Sequence, residues 1–155
     1  MSATAAGGAR HWYIERRWLG YAGLAPFLAC TAALVFAGSS AWRDVASDTL
    51  LNYAAVIASF LGAVHWGFAA GANDDSTVAR LRWGVMPALI AWVLLAVAPA
   101  SLAFAGFAVL FGLILFADHY FLPVLDDAYR QLRLQLSSVV VTTLAVAAVA
   151  THGAT

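Results

Sequence analysis

"LLNYAAVIASFLGAVHWGFAAG", residues 50–71, contains no acidic or basic side chain. A bilayer core about 30 Å thick takes roughly 20 apolar helical residues to cross. This run is long enough, and its only histidine, His65, lies six residues before its end at Gly71. Read outward from there, the chain offers four more apolar runs, near 18–38, 83–99, 100–122 and 134–151. The whole composition agrees: 63% of the 155 residues are hydrophobic and 10% are charged, against about 25% charged in ordinary soluble domains. Mean hydropathy is +0.83. The expectation is an all-α, polytopic membrane bundle of five transmembrane helices.

Charge excludes one class of function and orients the rest. Formal net charge is zero and the basic residues are scattered, so no electrostatic footprint for nucleic acid exists. All eight basic residues are Arg, which suggests the composition bias of a GC-rich bacterium. Arg10, Arg16, Arg17, Arg80, Arg82, Arg130 and Arg133 fall on one side of the five spans and Arg43 on the other. By the positive-inside rule the N-terminus is inside and the C-terminus outside. Trp12, Trp18, Trp83, Tyr120 and Tyr129 fall toward that inner interface, as an aromatic belt does. Residues 1–17 then form a cytoplasmic segment, 18–151 the membrane domain and 152–155 a short external tail. Ser39-Ser40-Ala41 resembles a leader-cleavage site, but the preceding apolar run is too long for a signal peptide and contains Pro26. Cys30 is alone, so it forms no internal disulfide and packs as a small hydrophobe.

His65, Asp118 and His119 interrupt the apolar runs at one level. His65 in span two and Asp118 in span four lie about 9 Å from the ends of helices running the same way, at 1.5 Å per residue, and so at one depth. Ionisable groups there are costly unless paired, and face the bundle interior. Tyr129 and Arg133, at the start of span five, are within reach. The expected cluster is therefore His65, Asp118, Tyr129 and Arg133, with Trp66 beside it. Three uses compete: a structural lock on helix register, a proton, ion, quinone or headgroup site, and haem ligation by His65 with His119. The expected cofactor is none, with haem as the alternative. No HExxH, CxxC, GxSxG or Walker pattern occurs, so no catalytic activity is expected. Asp74-Asp75 and Asp126-Asp127 are read as solvated loop acids, with no metal.

Helix pairing has its own signals. Only Pro99, Ala100 and Ser101 separate spans three and four, which must form a tight hairpin. Ala55, Ser59, Ala63, Gly67 and Gly71 recur every fourth residue, as do Ala25, Ala29, Ala33 and Ala37. Such stripes allow close backbone approach, and these two are expected to pack together, with His65 turned away toward span four or five. Pro26 and Pro87 each remove a backbone hydrogen bond inside a span; the functional reading of either is a discontinuous helix beside a cavity. "RRWLGYAGLAP" and "RLRWGVMP", with "AVHWGF" and "ADHYFL", suggest two repeated hairpins in which His65 would correspond to His119 and Trp66 to Tyr120.

"LGYAGLAPFLA" at 19–29, "YAAVIASFLGAVHWG" at 53–67 and "AYRQLR" at 128–133 resemble the domain-of-unknown-function family 3429, the family of the mitochondrial transmembrane protein sixty-nine. The likeness runs from Leu19 to about Val141, and Phe60-Leu61-Gly62-x-x-His65-Trp66-Gly67 is its most specific part. By that resemblance His65, Trp66, Gly67, Asp118 and Arg133 fall on family positions and His119 does not. A Trp that the family pattern carries before the Leu-Arg pair is missing from "DDAYRQLR". The resemblance implies a small bacterial inner-membrane or mitochondrial protein and brings no activity, substrate or cofactor. The expected role is a non-enzymatic accessory or assembly component of an energy-transducing membrane. Its partners would be the lipid bilayer and a larger membrane complex. The alternative is a small-molecule, proton or quinone binding or transport protein built on the His/Asp cluster.

Overall fold

The computed structural model describes residues 15, 17–70, 77–121 and 127–152. Arg10, Trp12, Arg16, Gly71, Asp74, Asp75 and Asp126 lie outside the described residues. Five helices are long and apolar enough to cross a membrane: α1 Arg17–Phe36, α2 Ser40–Ala69, α3 Thr77–Val97, α4 Ala100–Phe121 and α5 Asp127–His152. No strand occurs among the described residues. Each helix packs on its neighbour in sequence, α1 also meets α5, and α2 meets α4 across the centre.

α4 is the axis of the bundle. Ala103, Phe107, Leu110, Ile114 and Ala117 are buried at alternating spacings of four and three residues, the seam that a helix presents to partners crossing it at a shallow angle. Phe111 extends that seam, and Phe27 of α1 meets it edge-on with ring centroids 5.9 Å apart. Phe27 also meets Tyr53 of α2 at 5.1 Å, so one phenyl ring joins three helices.

α1 is interrupted. Pro26 has no N–H to give to the preceding turn, and the chain turns at Gly23 and Leu24 before the regular segment Ala25–Phe36 begins. Leu24 N donates to Tyr21 O at 3.0 Å, one residue tighter than an α-helical bond. The Gly23 carbonyl is taken up by the Tyr53 hydroxyl, which donates to it at 3.0 Å. Pro87, by contrast, lies inside an unbroken α3. The two halves of the expected repeat therefore differ at the prolines that suggested it.

Three boundaries differ from the sequence expectation. α2 begins at Ser40 rather than 50, α3 at Thr77 rather than 83, and α5 at Asp127 rather than 134. Hydropathy detects only the part of a helix inside hydrocarbon, and polar turns that project beyond it go unseen. At 1.5 Å per residue the 30-residue α2 is about 45 Å long, well over the ~30 Å hydrocarbon thickness. Its start is set by Ser39, whose hydroxyl accepts from Trp42 N at 3.4 Å. Ser39-Ser40-Ala41 is thus a helix start. The α3–α4 connection is as short as expected, with only Ala98 and Pro99 between the helices.

The expected small-residue seam is used only in part, since Ala33 and Ala55 pack against the core. Ala25, Ala29, Ala63 and Gly67 are exposed, and the buried face of α2 runs through Ala54, Ala58, Gly62, His65 and Ala69. The closest approach joins α2 to α3: a Cβ on Gly62 would lie 2.6 Å from Gly84 O and 3.1 Å from Pro87 Cγ. Small residues mark where a close approach is possible. Which stripe is used depends on where the large side chains of the partner helix point. Gly62→Ala is therefore expected to destabilise the protein by about 1–3 kcal/mol through overpacking. Gly67→Ala, where an added Cβ meets nothing within 4 Å, should leave stability unchanged. Thermal denaturation of both variants in detergent checks the difference.

Candidate functional site

His65 occupies the buried face of α2 one turn beyond Gly62, and its side chain is completely buried. Asp118 ends the buried stripe of α4. Arg133 comes from the second turn of α5. The three meet as the sequence anticipates. Arg133 Nε donates to Asp118 Oδ2 at 2.8 Å, and Arg133 Nη2 donates to the same oxygen. The other carboxylate oxygen, Oδ1, faces His65 Nε2 at 3.5 Å. Phe121 stands edge-on to the imidazole with centroids 6.3 Å apart and covers it.

Asp118 and Arg133 lie where the chemistry of each needs the other, while both buried nitrogens of His65 lack a hydrogen-bond partner among the described residues. A buried carboxylate requires donors, and charge-assisted bonds from a guanidinium are the strongest that a side chain offers. Only 8% of the Asp118 side chain and 11% of the Arg133 side chain are accessible, so water contributes little to the solvation of either. The cluster ties α2, α4 and α5 together at the end of the bundle that holds Arg80, Arg82 and Arg130.

Tyr129, half-buried, lines a groove with Asp118 and Arg133 and also a second cavity with Arg133. Trp66 is not brought to the carboxylate. One residue further along the helix turns it by about 100°, onto α3, where Nε1 donates to Leu81 O at 3.0 Å. Its indole lies against Gly84, whose added Cβ would stand 2.3 Å from Trp66 Cδ1.

His119 is exposed in the groove between α4 and α5, of about 550 Å³. The proposed equivalence of the two histidines in a repeat does not survive their burial, because His65 belongs to a packed face and His119 follows one. Tyr120 and Trp18 are exposed and Trp83 is half-buried. Among the described residues no three His, Cys, Asp or Glu side chains come together as a metal site.

Two contributors were missed from sequence. Tyr53 secures the interruption of α1, and its signal was a phenol in an apolar run, thirty residues from a Gly-x-x-Pro. Arg43 donates through Nη2 to Ala150 O at 3.2 Å, placing a cation at the negative end of the α5 dipole. Counted for orientation alone, it had no expected partner.

Removing one partner of a buried ion pair leaves the other uncompensated, at about 3–5 kcal/mol. Asp118→Ala and Arg133→Ala are each expected to cost about that much. The double variant should cost less than their sum, with a coupling of about 1–3 kcal/mol. Unfolding equilibria of the four proteins in mixed micelles check this, and strict additivity would contradict the pairing.

The family model described as a protein of unknown function, DUF3429, matches residues 12–149. Transmembrane protein 69 of Xenopus tropicalis is 32% identical over 130 residues, covering 82% of this chain and 51% of that protein. The chain thus spans about half the length of the curated relative it matches. No solved structure matches.

Proposed function

The chain belongs to the DUF3429 family, and we propose that it serves as a non-enzymatic accessory or assembly component of an energy-transducing membrane. The membrane is the bacterial cytoplasmic one, with the arginine-rich end of the bundle inside. The observation that carries this reading is the closure of the polar cluster. Asp118 Oδ2 accepts two bonds from Arg133, Oδ1 stands 3.5 Å from His65 Nε2, and the His65 side chain has no exposed surface. Such a cluster sets the mutual position of three helices rather than handling a substrate. The outer faces offer large apolar side chains to a partner: Trp92 of α3 and Phe116 of α4 are each more than two-thirds exposed to lipid or to another membrane helix.

Burial of the whole His65 side chain disfavours proton or quinone chemistry at the imidazole itself. Nor does the sequence supply a nucleophile with a base at a recognisable spacing.

Co-purification of the tagged protein from native membranes in mild detergent tests the proposal. A membrane protein present in stoichiometric amount with wild type, and reduced severalfold with His65→Ala while Gly67→Ala retains it, is the expected result. A wild-type protein that is stable and functional alone in liposomes, with no such partner, would overturn it.

A further inference from the structure

Beside the ion pair the helices leave a cavity of about 360 Å³, within the ~300–1,000 Å³ range of small-molecule sites. Its floor is buried and apolar, made by Leu24 and Phe27 of α1, Phe111 of α4 and Val140 of α5. Leu19 and Phe60 also line it and are exposed, so the cavity opens sideways between α1 and α2 onto the surface that lipid covers. One wall is the interrupted stretch of α1, with Gly20 and Gly23. Non-helical backbone at membrane depth is tolerated where it lines a cavity. Polar groups on the lining are few: Tyr129, Arg133 and Ser137.

Arg133 decides what chemistry fits. A guanidinium has five N–H groups, and here Nε and Nη2 donate to Asp118 while Nη1 donates to none of the described residues. Its charge is already balanced by that carboxylate, so a second anion at the same guanidinium would go uncompensated in a poorly solvated site. A neutral acceptor takes one of the remaining N–H groups without disturbing the pair. We propose that this cavity binds an apolar, chain-bearing molecule with a neutral carbonyl head, entering from the bilayer. The carbonyl oxygen accepts from Arg133 beside Tyr129, and the chain lies along Phe27 and Phe111. Quinones and fatty esters share this chemistry.

Calorimetric titration of the purified chain in detergent micelles, with decylubiquinone, methyl oleate and oleate as probes, tests the site. Saturable one-to-one binding of decylubiquinone or methyl oleate is expected, at least tenfold tighter than oleate; which of the two binds identifies the source. Ile57→Trp fills the cavity from α2 without touching the ion pair and should weaken binding at least tenfold with the melting temperature retained. Should that variant fail to fold, Ser137→Leu fills it from α5. Partitioning that is equal in wild type and the filled variant, or a preference for oleate over its ester, overturns the proposal. Loss of the protein partner described above leaves this result unaffected, so the two readings fail separately.

Discussion

A carboxylate inside a helical bundle that spans a membrane constrains everything around it. Asp118 lies almost out of reach of solvent, and an uncompensated charge there costs several kcal/mol. The ordinary interhelical polar contact in a membrane contributes only about 0.6 kcal/mol. This asymmetry gives the cluster its influence: its members add modest attraction when together, but any arrangement that separates them is heavily penalised. α5 must bring Arg133 to the end of α4, and α2 must present His65 at the same height. Register among three helices follows from one side chain.

The stretch Phe60 to Gly67 distributes contacts by helical rotation. Gly62 lets α3 approach until a methyl group would not fit. His65, three residues on, shares that buried face and reaches α4. Trp66 swings back to donate to Leu81 of α3 and covers Gly84. Phe60 and Leu61 border the cavity toward α1. A run that reads as an uninterrupted apolar segment is thus the hub on which α3, α4 and α1 are placed. Gly62 and Trp66 serve packing contacts with α3 rather than chemistry.

Rigidity and adaptability lie side by side. The polar cluster and the Gly62–Pro87 contact are closely packed. The interruption of α1 is supported by a single phenol, and a cavity adjoins it. Much of this was legible: the five spans and the meeting of His65, Asp118 and Arg133. Helix ends were not, because Arg43, Asp44 and Asp48 lower the hydropathy of the first turns of α2 and hide them from a search for apolar runs. Nor was the choice among small-residue stripes, since Ala55, Ser59, Ala63 and Gly67 offer the same spacing as Ala54, Ala58 and Gly62 but face elsewhere.

What the sequence determined by itself was the kind of object and the depth of its polar groups. Both follow from one-dimensional quantities, the length of uncharged runs and the count of residues from their ends, which the bilayer converts directly into position. What only the tertiary structure decided was azimuth. Neighbouring residues differ by 100° around a helix, so His65 and Trp66, or Asp118 and His119, sit at one depth with opposite fates. Which face turns inward depends on the side chains of helices distant in sequence, as when Tyr53 meets Gly23 or Arg133 meets Asp118. No local pattern carries that information.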